Sequence, residues 1–193
     1  DLGAGSKSIK SSTITIKTLT KKVQSRPEKA QILFRIVSYF QKNNILEIGT
    51  SLGLTTAYLS NANKNGKVTT LEGDPTVSNL AQKNFKTLKI NNVELINQPF
   101  GQIIPKLLNN KFDLIFFDGN HSKEATLRYF YWLVEHANED SIFIFDDIYW
   151  SNEMKQAWEV ICTFDKVMLS LDIFSFGIVF FKKNREKEHI KLV

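Results

Sequence analysis

The sequence predicts an α/β protein whose central sheet is mostly parallel and is covered by helices on both faces. From residue 45 onwards, short apolar runs of strand length alternate with amphipathic runs of helix length. This alternation is typical of right-handed βαβ crossovers, which build a doubly wound parallel sheet. The rhythm ends at residues 167–173 and 176–181, two strand-like runs that only a short turn separates. Such a C-terminal β-hairpin predicts that the last strand is antiparallel to its neighbours.

The predicted elements follow one another without a linker or an internal repeat. A helix begins at Pro27, because proline is favoured in a first helical turn, and its apolar residues recur at helical spacing until Asn43 and Asn44. The strands predicted after it cover residues 45–48, 68–71, 93–96, 114–117 and 142–145. The helices predicted between them cover residues 53–63, 75–90, 101–109, 122–138 and 151–162. We therefore expect an N-terminal arm over residues 1–26, as part of a chain that extends further, and one domain over residues 27–193.

Composition excludes several classes of protein. The chain has 193 residues, of which 42% are hydrophobic and 23% charged, so disordered and collagen-like proteins are excluded. The single Cys162 cannot form an internal disulfide, which fits a reducing cytoplasm. No apolar run approaches the roughly 20 residues that span a bilayer, so we expect no membrane segment. The net charge is +5, but lysines spread along the chain are typical of a solvated surface, so nucleic-acid binding is disfavoured.

A turn rich in small residues follows the first predicted strand. It reads Glu47-Ile48-Gly49-Thr50-Ser51-Leu52-Gly53 and leads into a helix, so backbone N–H groups can approach a ligand closely. The dinucleotide fingerprint requires glycines where Ser51 and Leu54 stand, so the turn does not favour a pyrophosphate. The carboxylate of Glu47 repels phosphate and suits an ammonium group.

A carboxylate also follows the second predicted strand. Glu72 and Gly73 stand where nucleoside-binding α/β folds read a ribose, and one carboxylate can accept hydrogen bonds from two hydroxyls. The alternative is that Glu72 is an exposed loop residue. Asp74 is predicted to cap the helix that begins at Pro75.

Three more carboxylates follow the fourth and fifth predicted strands. Asp118, Asp146 and Asp147 should converge at the carboxyl edge of the sheet, which is unfavourable unless a cation or shared protons lie among them. Oxygen ligands of this kind suit Mg²⁺ or a similar divalent ion. The alternative is that these residues cap helices or bind backbone groups. His121 is the candidate base beside them. Tyr149 and Trp150 are the candidate wall of a substrate site.

Taken together, these strand ends resemble those of class I S-adenosylmethionine-dependent methyltransferases. The resemblance rests on the Glu-x-Gly-x-x-x-Gly turn, on Glu72, on Asp118 with Asp146-Asp147, and on the C-terminal hairpin. Residues 101–107, Gly-Gln-Ile-Ile-Pro-Lys-Leu, are similar to the cation-dependent O-methyltransferases of the catechol type and their sugar-modifying relatives. The resemblance covers roughly residues 30–182 and implies a Rossmann-like sheet of seven strands, the last of them antiparallel.

The resemblance also implies roles for individual residues. Contacts to S-adenosyl-L-methionine are implied for Glu47, Gly49, Thr50, Ser51, Gly53, Glu72, Gly73, Phe100, Gly101 and Asp118. Among them, Glu47 lies near the ammonium of the cofactor, Glu72 on the ribose and Phe100 beside the adenine. The implied metal ligands are Asp118, Asp146 and Asp147, and the catalytic pair is Asp118 with His121. Some sugar-modifying relatives carry an acidic base where this chain has Asn120, which is why His121 is taken as the base.

The expected activity is methylation of a small-molecule hydroxyl, in a phenol, a catechol or a sugar diol, with S-adenosylmethionine and a divalent metal. Two alternatives remain at this stage. One is a metal-independent methyltransferase acting on RNA or protein, which the positive net charge would favour. The other is a cofactor-binding module without turnover. The sequence leaves open whether the chain forms a homodimer.

Overall fold

A mixed sheet of eight strands forms the centre of the protein, in a computed structural model that describes residues 27–183 and 186–192. The predicted arm over residues 1–26 lies outside the described residues. The helices are α1 (Pro27–Phe40), α2 (Leu54–Ala62), α3 (Pro75–Thr87), α4 (Phe100–Leu107), α5 (Lys123–Val134) and α6 (Asn152–Thr163). The strands are β1 (Asn44–Ile48), β2 (Lys67–Glu72), β3 (Val93–Asn97), β4 (Leu114–Phe117), β5 (Ile142–Asp146), β6 (Leu169–Asp172), β7 (Phe176–Phe180) and β8 (Glu188–Lys191).

The order of the strands brings the predicted site residues to one edge. The sheet runs β3-β2-β1-β4-β5-β7-β6-β8, and β1 pairs in parallel with both β2 and β4. Ile48 at the end of β1 is in register with Leu71 of β2 and Phe117 of β4, so these strands end at the same level. The direction of the strand order reverses between β1 and β4, and open α/β sheets bind ligands at such a reversal.

The apolar core lies on both faces of the sheet, because alternate residues of each strand point to opposite sides. Leu46 of β1 belongs to the cluster beneath α4, α5 and α6, whereas its neighbour Ile45 belongs to the cluster beneath α1 and α2. Strands buried on both faces need nearly continuous apolar sequence. This explains why β4 and β5, which read Leu-Ile-Phe-Phe and Ile-Phe-Ile-Phe-Asp, were recognisable from sequence.

The C-terminal hairpin was predicted correctly, but the number of strands was not. β7 is antiparallel to β5 and β6, which confirms the predicted antiparallel strand. An eighth strand, β8, pairs in parallel with β6 at the outer edge. Its residues, Glu-His-Ile-Lys, are all exposed and mostly polar, so no apolar run indicated a strand. Backbone pairing with β6 holds this segment, and the hydroxyl of Ser170 adds a hydrogen bond of 2.8 Å with Nδ1 of His189.

No helix within the described ranges is long and apolar enough to cross a membrane. This agrees with the absence of a long apolar run from the sequence. The cytoplasmic location stays a prediction.

Candidate active site

The turn between β1 and α2 is held tightly against the ends of the neighbouring strands. The N–H groups of Gly49 and Thr50 both donate to the carbonyl of Leu71, at 3.0 Å each. Gly49 has a φ of 107° and Gly53 a φ of 80°, a region that residues with a Cβ rarely adopt. A Cβ at Gly49 would collide with the backbone carbonyl of Asp118. Glycine therefore lets this turn pack directly on the strand end that carries the acidic cluster.

Glu47 is buried behind this turn with one oxygen unpaired. Its side chain is fully buried, and its Oε2 accepts hydrogen bonds from the hydroxyls of Thr56 and Thr70, the second at 2.6 Å. Thr50 extends this series of hydrogen bonds, since its hydroxyl lies 2.7 Å from that of Thr70. Oε1 has no hydrogen-bond partner among the described residues. Burial raises the pKa of Glu47 to about 7, although the two threonine hydroxyls act against this shift. An unpaired buried carboxylate oxygen suits a cationic donor such as an ammonium group.

Glu72 connects the turn between β1 and α2 to the end of β2. Its Oε2 accepts from the N–H of Ser51 at 2.9 Å, and its Oε1 accepts from the N–H of Asp74 at 3.0 Å. The N–H of Gly73 also favours its charged form, but burial dominates and raises the pKa of Glu72. Glu72 is 8% exposed, so it is not an exposed loop acid. A carboxylate has lone pairs left after two such bonds, so it can still accept from ribose hydroxyls.

The predicted helix cap at Asp74 is confirmed. Its carboxylate accepts from the N–H groups of Thr76 and Val77, at 2.7 Å and 3.1 Å. Asp74 and Glu72 therefore have different roles although only one residue separates them.

Phe100 does not present its ring at the site in this structure. It is 2% exposed, and its ring lies edge-on to Tyr129 in the core, with the centroids 6.3 Å apart. A Cβ at Gly119 would meet the ring at 2.7 Å, so Phe100 packs under the end of β4. The predicted stacking surface for adenine is thus replaced by core packing, because α4 begins at Phe100 and turns this side chain inward. Gly101, next to it, has open space around the position of a Cβ.

The three predicted carboxylates meet at the ends of β4 and β5, together with a lysine. Asp118 and Asp146 are close enough that each affects the ionisation of the other. The ammonium nitrogen of Lys29 lies 2.6 Å from Oδ1 of Asp146 and 2.7 Å from Oδ1 of Asp147. Lys29 comes from the first turn of α1, so the sheet edge and the N-terminal helix close the cluster together.

Two carboxyl groups of this cluster, those of Asp118 and Asp146, resist ionisation. Burial and the neighbouring Asp146 raise the pKa of Asp118 well above its usual range. Burial and the Asp147 carboxylate likewise raise the pKa of Asp146, although Lys29 acts in the opposite direction. Burial is the largest single influence on the pKa of Lys29 and lowers it, but the charges and hydrogen bonds of Asp146 and Asp147 together outweigh burial and raise that pKa overall. Lys29 is therefore a fixed positive charge at the site.

His121 and Trp150 lie beside the acidic cluster. Nε2 of His121 is 3.7 Å from Oδ1 of Asp118, and its ring centroid is 6.5 Å from that of Trp150. Trp150 is 58% exposed, which is unusual for so large an apolar side chain. A base and an aromatic surface are thus available on the open side of Asp118.

Tyr149, the other predicted wall residue, turns towards the end of β6. Its hydroxyl donates to Asp172, and its ring lies 5.8 Å from that of Phe174. It lines a cavity of about 660 Å³ between α6, β6 and β8, together with Trp158 and Cys162. Tyr149 and Trp150 therefore face different spaces.

Backbone strain concentrates at this edge of the sheet. Ser51, Asn120, Asp147 and Phe174 have φ values of 51°, 52°, 52° and 64°, and each follows the carboxyl end of a different strand. A non-glycine residue in this left-handed region costs on the order of 1–3 kcal/mol. Such strain is typical of binding and catalytic sites, because packing elsewhere holds the chain in a conformation that serves the site.

The arrangement does not fit the predicted divalent ion. Carboxylate oxygens are suitable ligands by their chemistry. However, the described residues contain no group of three or more His, Cys, Asp or Glu side chains arranged to hold a metal. Lys29 donates to Oδ1 of both Asp146 and Asp147, which places an ammonium group between two of the three predicted ligands. The predicted ligands Asp118, Asp146 and Asp147 are together, but with an ammonium group among them.

Sequence reasoning missed Lys29 and the two threonines that bind Glu47. Lys29 is 117 residues from Asp146, and a lysine in a first helical turn has no recognisable pattern. Thr56 and Thr70 read as ordinary helix and strand residues. Both side chains are buried because their helix and strand bury that face. The apolar periodicity of the sequence indicates this only weakly.

Comparison with known proteins finds sequence similarity to methyltransferases. A family model described as a methyltransferase domain matches residues 46–148. A catechol O-methyltransferase from Mycobacterium tuberculosis is 28% identical over 123 residues, covering 63% of this chain and 55% of that protein. A catechol O-methyltransferase from Niastella koreensis is 30% identical over 127 residues, covering 63% and 57%. The chain thus spans little more than half the length of these curated relatives.

A solved structure supports the fold. The O-methyltransferase from Bacillus cereus in complex with SAH has a TM-score of 0.70 and 24% sequence identity. The match covers 81% of this chain and 82% of that one. The overall path of the chain is therefore one that a known O-methyltransferase also follows.

Proposed function

Since the chain belongs to the methyltransferase domain family, we propose that it transfers the methyl group of S-adenosylmethionine to a hydroxyl oxygen of a small molecule. The observation that carries this proposal is Glu47, whose buried Oε1 lacks a partner among the described residues, directly behind the glycine turn. The relatives named above are O-methyltransferases, which supports oxygen as the acceptor atom.

The cofactor half of the site consists of the turn after β1 and the end of β2. Glu47 receives the ammonium group of the cofactor on Oε1, and Gly49, Thr50 and Gly53 let the backbone approach its methionine part. Glu72 accepts hydrogen bonds from the ribose hydroxyls, and the hydrogen bond that it accepts from the N–H of Ser51 keeps the turn in place. Pre-formed contacts of this kind reduce the entropy lost on binding.

The acceptor half of the site lies beyond the ends of β4 and β5. S-adenosylmethionine supplies a methyl group on a positively charged sulfur; the new C–O bond forms as the C–S bond breaks, and its electron pair stays on sulfur. His121 takes the hydroxyl proton of the acceptor, with Asp118 beside it at 3.7 Å. Trp150 covers the acceptor on its exposed side. Alignment of the two partners contributes much of the rate in such a displacement.

The acceptor classes expected from sequence, phenols, catechols and sugar diols, all offer a hydroxyl that fits this arrangement. The acidic cluster lies next to the acceptor position and contains three carboxyl groups but only one lysine, so it lacks the excess of positive charge that a phosphate-rich acceptor needs. We therefore favour a small molecule over RNA. A requirement for a divalent metal is not part of this proposal, because Lys29 lies where the metal would bind.

The proposal is tested by titrating the protein with S-adenosylmethionine in a calorimeter. We expect saturable binding to one site, weakened at least about tenfold by Glu72→Ala, because a carboxylate hydrogen bond contributes roughly 1.5–3 kcal/mol. Glu94→Ala is the matched control, since Glu94 is an exposed glutamate of β3 that pairs only with Lys67 in the described part of the chain. Mass spectrometry of a panel of phenols, catechols and sugar diols then identifies the methylated product.

Two results would contradict the proposal. An absence of cofactor binding would remove the methyl donor, and binding without any product over the panel would favour a module without turnover. Thermal unfolding of each variant separates a lost contact from a lost fold.

A further inference from the structure

We propose that the ammonium group of Lys29 is the resident cation of the acceptor site and binds the acceptor oxygen, so that methyl transfer proceeds without a divalent metal. This inference rests on the proposed function and adds a catalytic residue to it. Lys29 lies outside every pattern by which the site was recognised from sequence, and also outside the segment that the family model matches.

The contacts of Lys29 are those of a built site and not of a surface ion pair. Its side chain is 17% exposed, and its nitrogen lies at 2.6 Å and 2.7 Å from two different carboxylates. The same nitrogen is 5.5 Å from the ring centroid of Phe176, a fully buried residue of β7 opposite Asp146. Two carboxylates and an aromatic face thus fix one ammonium group.

The local position of Lys29 is unfavourable without these contacts. It lies in the first turn of α1, where the helix dipole disfavours a positive charge. Ordering a lysine side chain also costs conformational entropy. The tertiary contacts to β5 and to the turn after it must offset both costs. A surface lysine that is free in solvent keeps its conformational entropy and needs no such compensation.

One donor of the ammonium group is left for a ligand. An ammonium group has three N–H donors, and the described residues accept two of them, through Asp146 and Asp147. The third donor can bind the acceptor oxygen and stabilise its negative charge as the proton leaves for His121. A divalent ion performs this role in other enzymes by lowering the pKa of an oxygen bound to it. Here a side chain already supplies positive charge at that place.

A divalent ion and Lys29 would compete for the same oxygens. Mg²⁺ requires oxygen ligands at about 2.0–2.1 Å, and the two Oδ1 atoms are engaged by the ammonium group. Repulsion between the two cations at such short range would be severe. The arrangement therefore excludes a metal at these oxygens as long as Lys29 stays in place.

The first test measures metal binding without turnover. Free Mn²⁺ is followed by electron paramagnetic resonance as protein is added. We expect no Mn²⁺ binding at the acidic cluster by the wild-type protein, and gain of one binding site in Lys29→Ala, where Asp146 and Asp147 lose their cation. Lys166→Ala is the matched control, because Lys166 forms an exposed pair with Glu135 at 2.6 Å and should leave the result unchanged.

The second test measures methyl transfer with an acceptor from the panel. We expect the wild-type rate to be insensitive to a chelator. Lys29→Ala should lower it on the order of 100-fold, as does loss of one donor to a developing oxyanion. Added ethylammonium or Mg²⁺ should restore part of that loss. Lys29→Met keeps an apolar side chain of similar length without the charge. It replaces Lys29→Ala in the same measurement if the alanine variant unfolds.

Stoichiometric Mn²⁺ binding by the wild-type protein that Asp146→Asn abolishes would overturn the inference, and so would an unchanged rate in a folded Lys29 variant. Failure of the proposed function has a different signature, because the Mn²⁺ measurement needs neither cofactor nor acceptor.

Discussion

Glu47, in the proposed cofactor site, makes the stability of the protein depend on pH. Burial raises its pKa to about 7, so between the pKa of the unfolded chain, 4.5, and about 7 the folded protein binds the extra proton. Stability falls with rising pH wherever the folded state binds more protons. We expect Glu47→Gln to remove this loss. Its free energy of unfolding, relative to wild type, should rise by up to about 3 kcal/mol between about pH 5 and about pH 8.

Urea denaturation at several pH values measures this difference. Glu94→Gln is the control, because it leaves Glu47 in place and should lose stability with rising pH as the wild type does. If Glu47→Gln and the wild type lose stability in parallel as pH rises, the buried carboxylate does not carry the proton.

The residues that sequence analysis identified share one property, a fixed position after a strand. Glu72, Asp118 and Asp146 end up together because parallel strands end at one edge, which follows from the topology alone. Lys29 could not be found in this way, since it enters from a helix that precedes the sheet and its partner is 117 residues distant. The inward orientation of the Phe100 side chain could not be predicted either, because the direction of a side chain at the start of a helix depends on how that helix packs.

At the scale of single elements, the turn between β1 and α2 depends on Gly49. A side chain there would be strained by the φ of 107° and would meet the carbonyl of Asp118. We expect Gly49→Ala to lower the free energy of unfolding on the order of 3 kcal/mol and to abolish cofactor binding. Thermal and urea unfolding, followed by calorimetric titration, measure both effects.

Gly101 is the matched control for that substitution. It lies in the first turn of α4, and open space surrounds the position that a Cβ would take, so Gly101→Ala should stabilise the protein by about 0.5–1 kcal/mol. Equal destabilisation by the two alanine substitutions would contradict the argument from conformation and close approach.

The elements themselves were predictable where burial imposes a pattern. β4 and β5 are apolar along their whole length because helices cover both of their faces, and such runs are visible in sequence. β8 is the opposite case. It is exposed and mostly polar, and backbone hydrogen bonds such as that from Glu188 N–H to the carbonyl of Met168 hold it on β6. Backbone pairing is independent of side-chain type, so composition gave no sign of it.

At the scale of the whole molecule, the positive charge has an uneven distribution. Six basic residues and one acidic residue precede Pro27, so residues 27–193 contain 19 of each sign and are formally neutral. The surface lysines of this part are often paired, as Lys67 is with Glu94 and Lys166 with Glu135. The net charge of +5 is therefore no argument that the sheet edge with its carboxylates receives RNA.

We expect only weak RNA binding, and through the first 26 residues. Fluorescence anisotropy of a single-stranded RNA of about 20 nucleotides should give a dissociation constant above roughly 10 µM at about 0.15 M salt. Lys17→Gln with Lys21→Gln and Lys22→Gln should reduce the salt dependence by about two units of slope, since each phosphate contact on a single strand contributes about 0.7. Equivalent changes at Lys64, Lys83 and Lys111, exposed residues of the neutral part, should have little effect. If the substitutions at Lys64, Lys83 and Lys111 abolish binding instead, RNA binds the folded domain. The acceptor would then be a nucleic acid and not a small molecule.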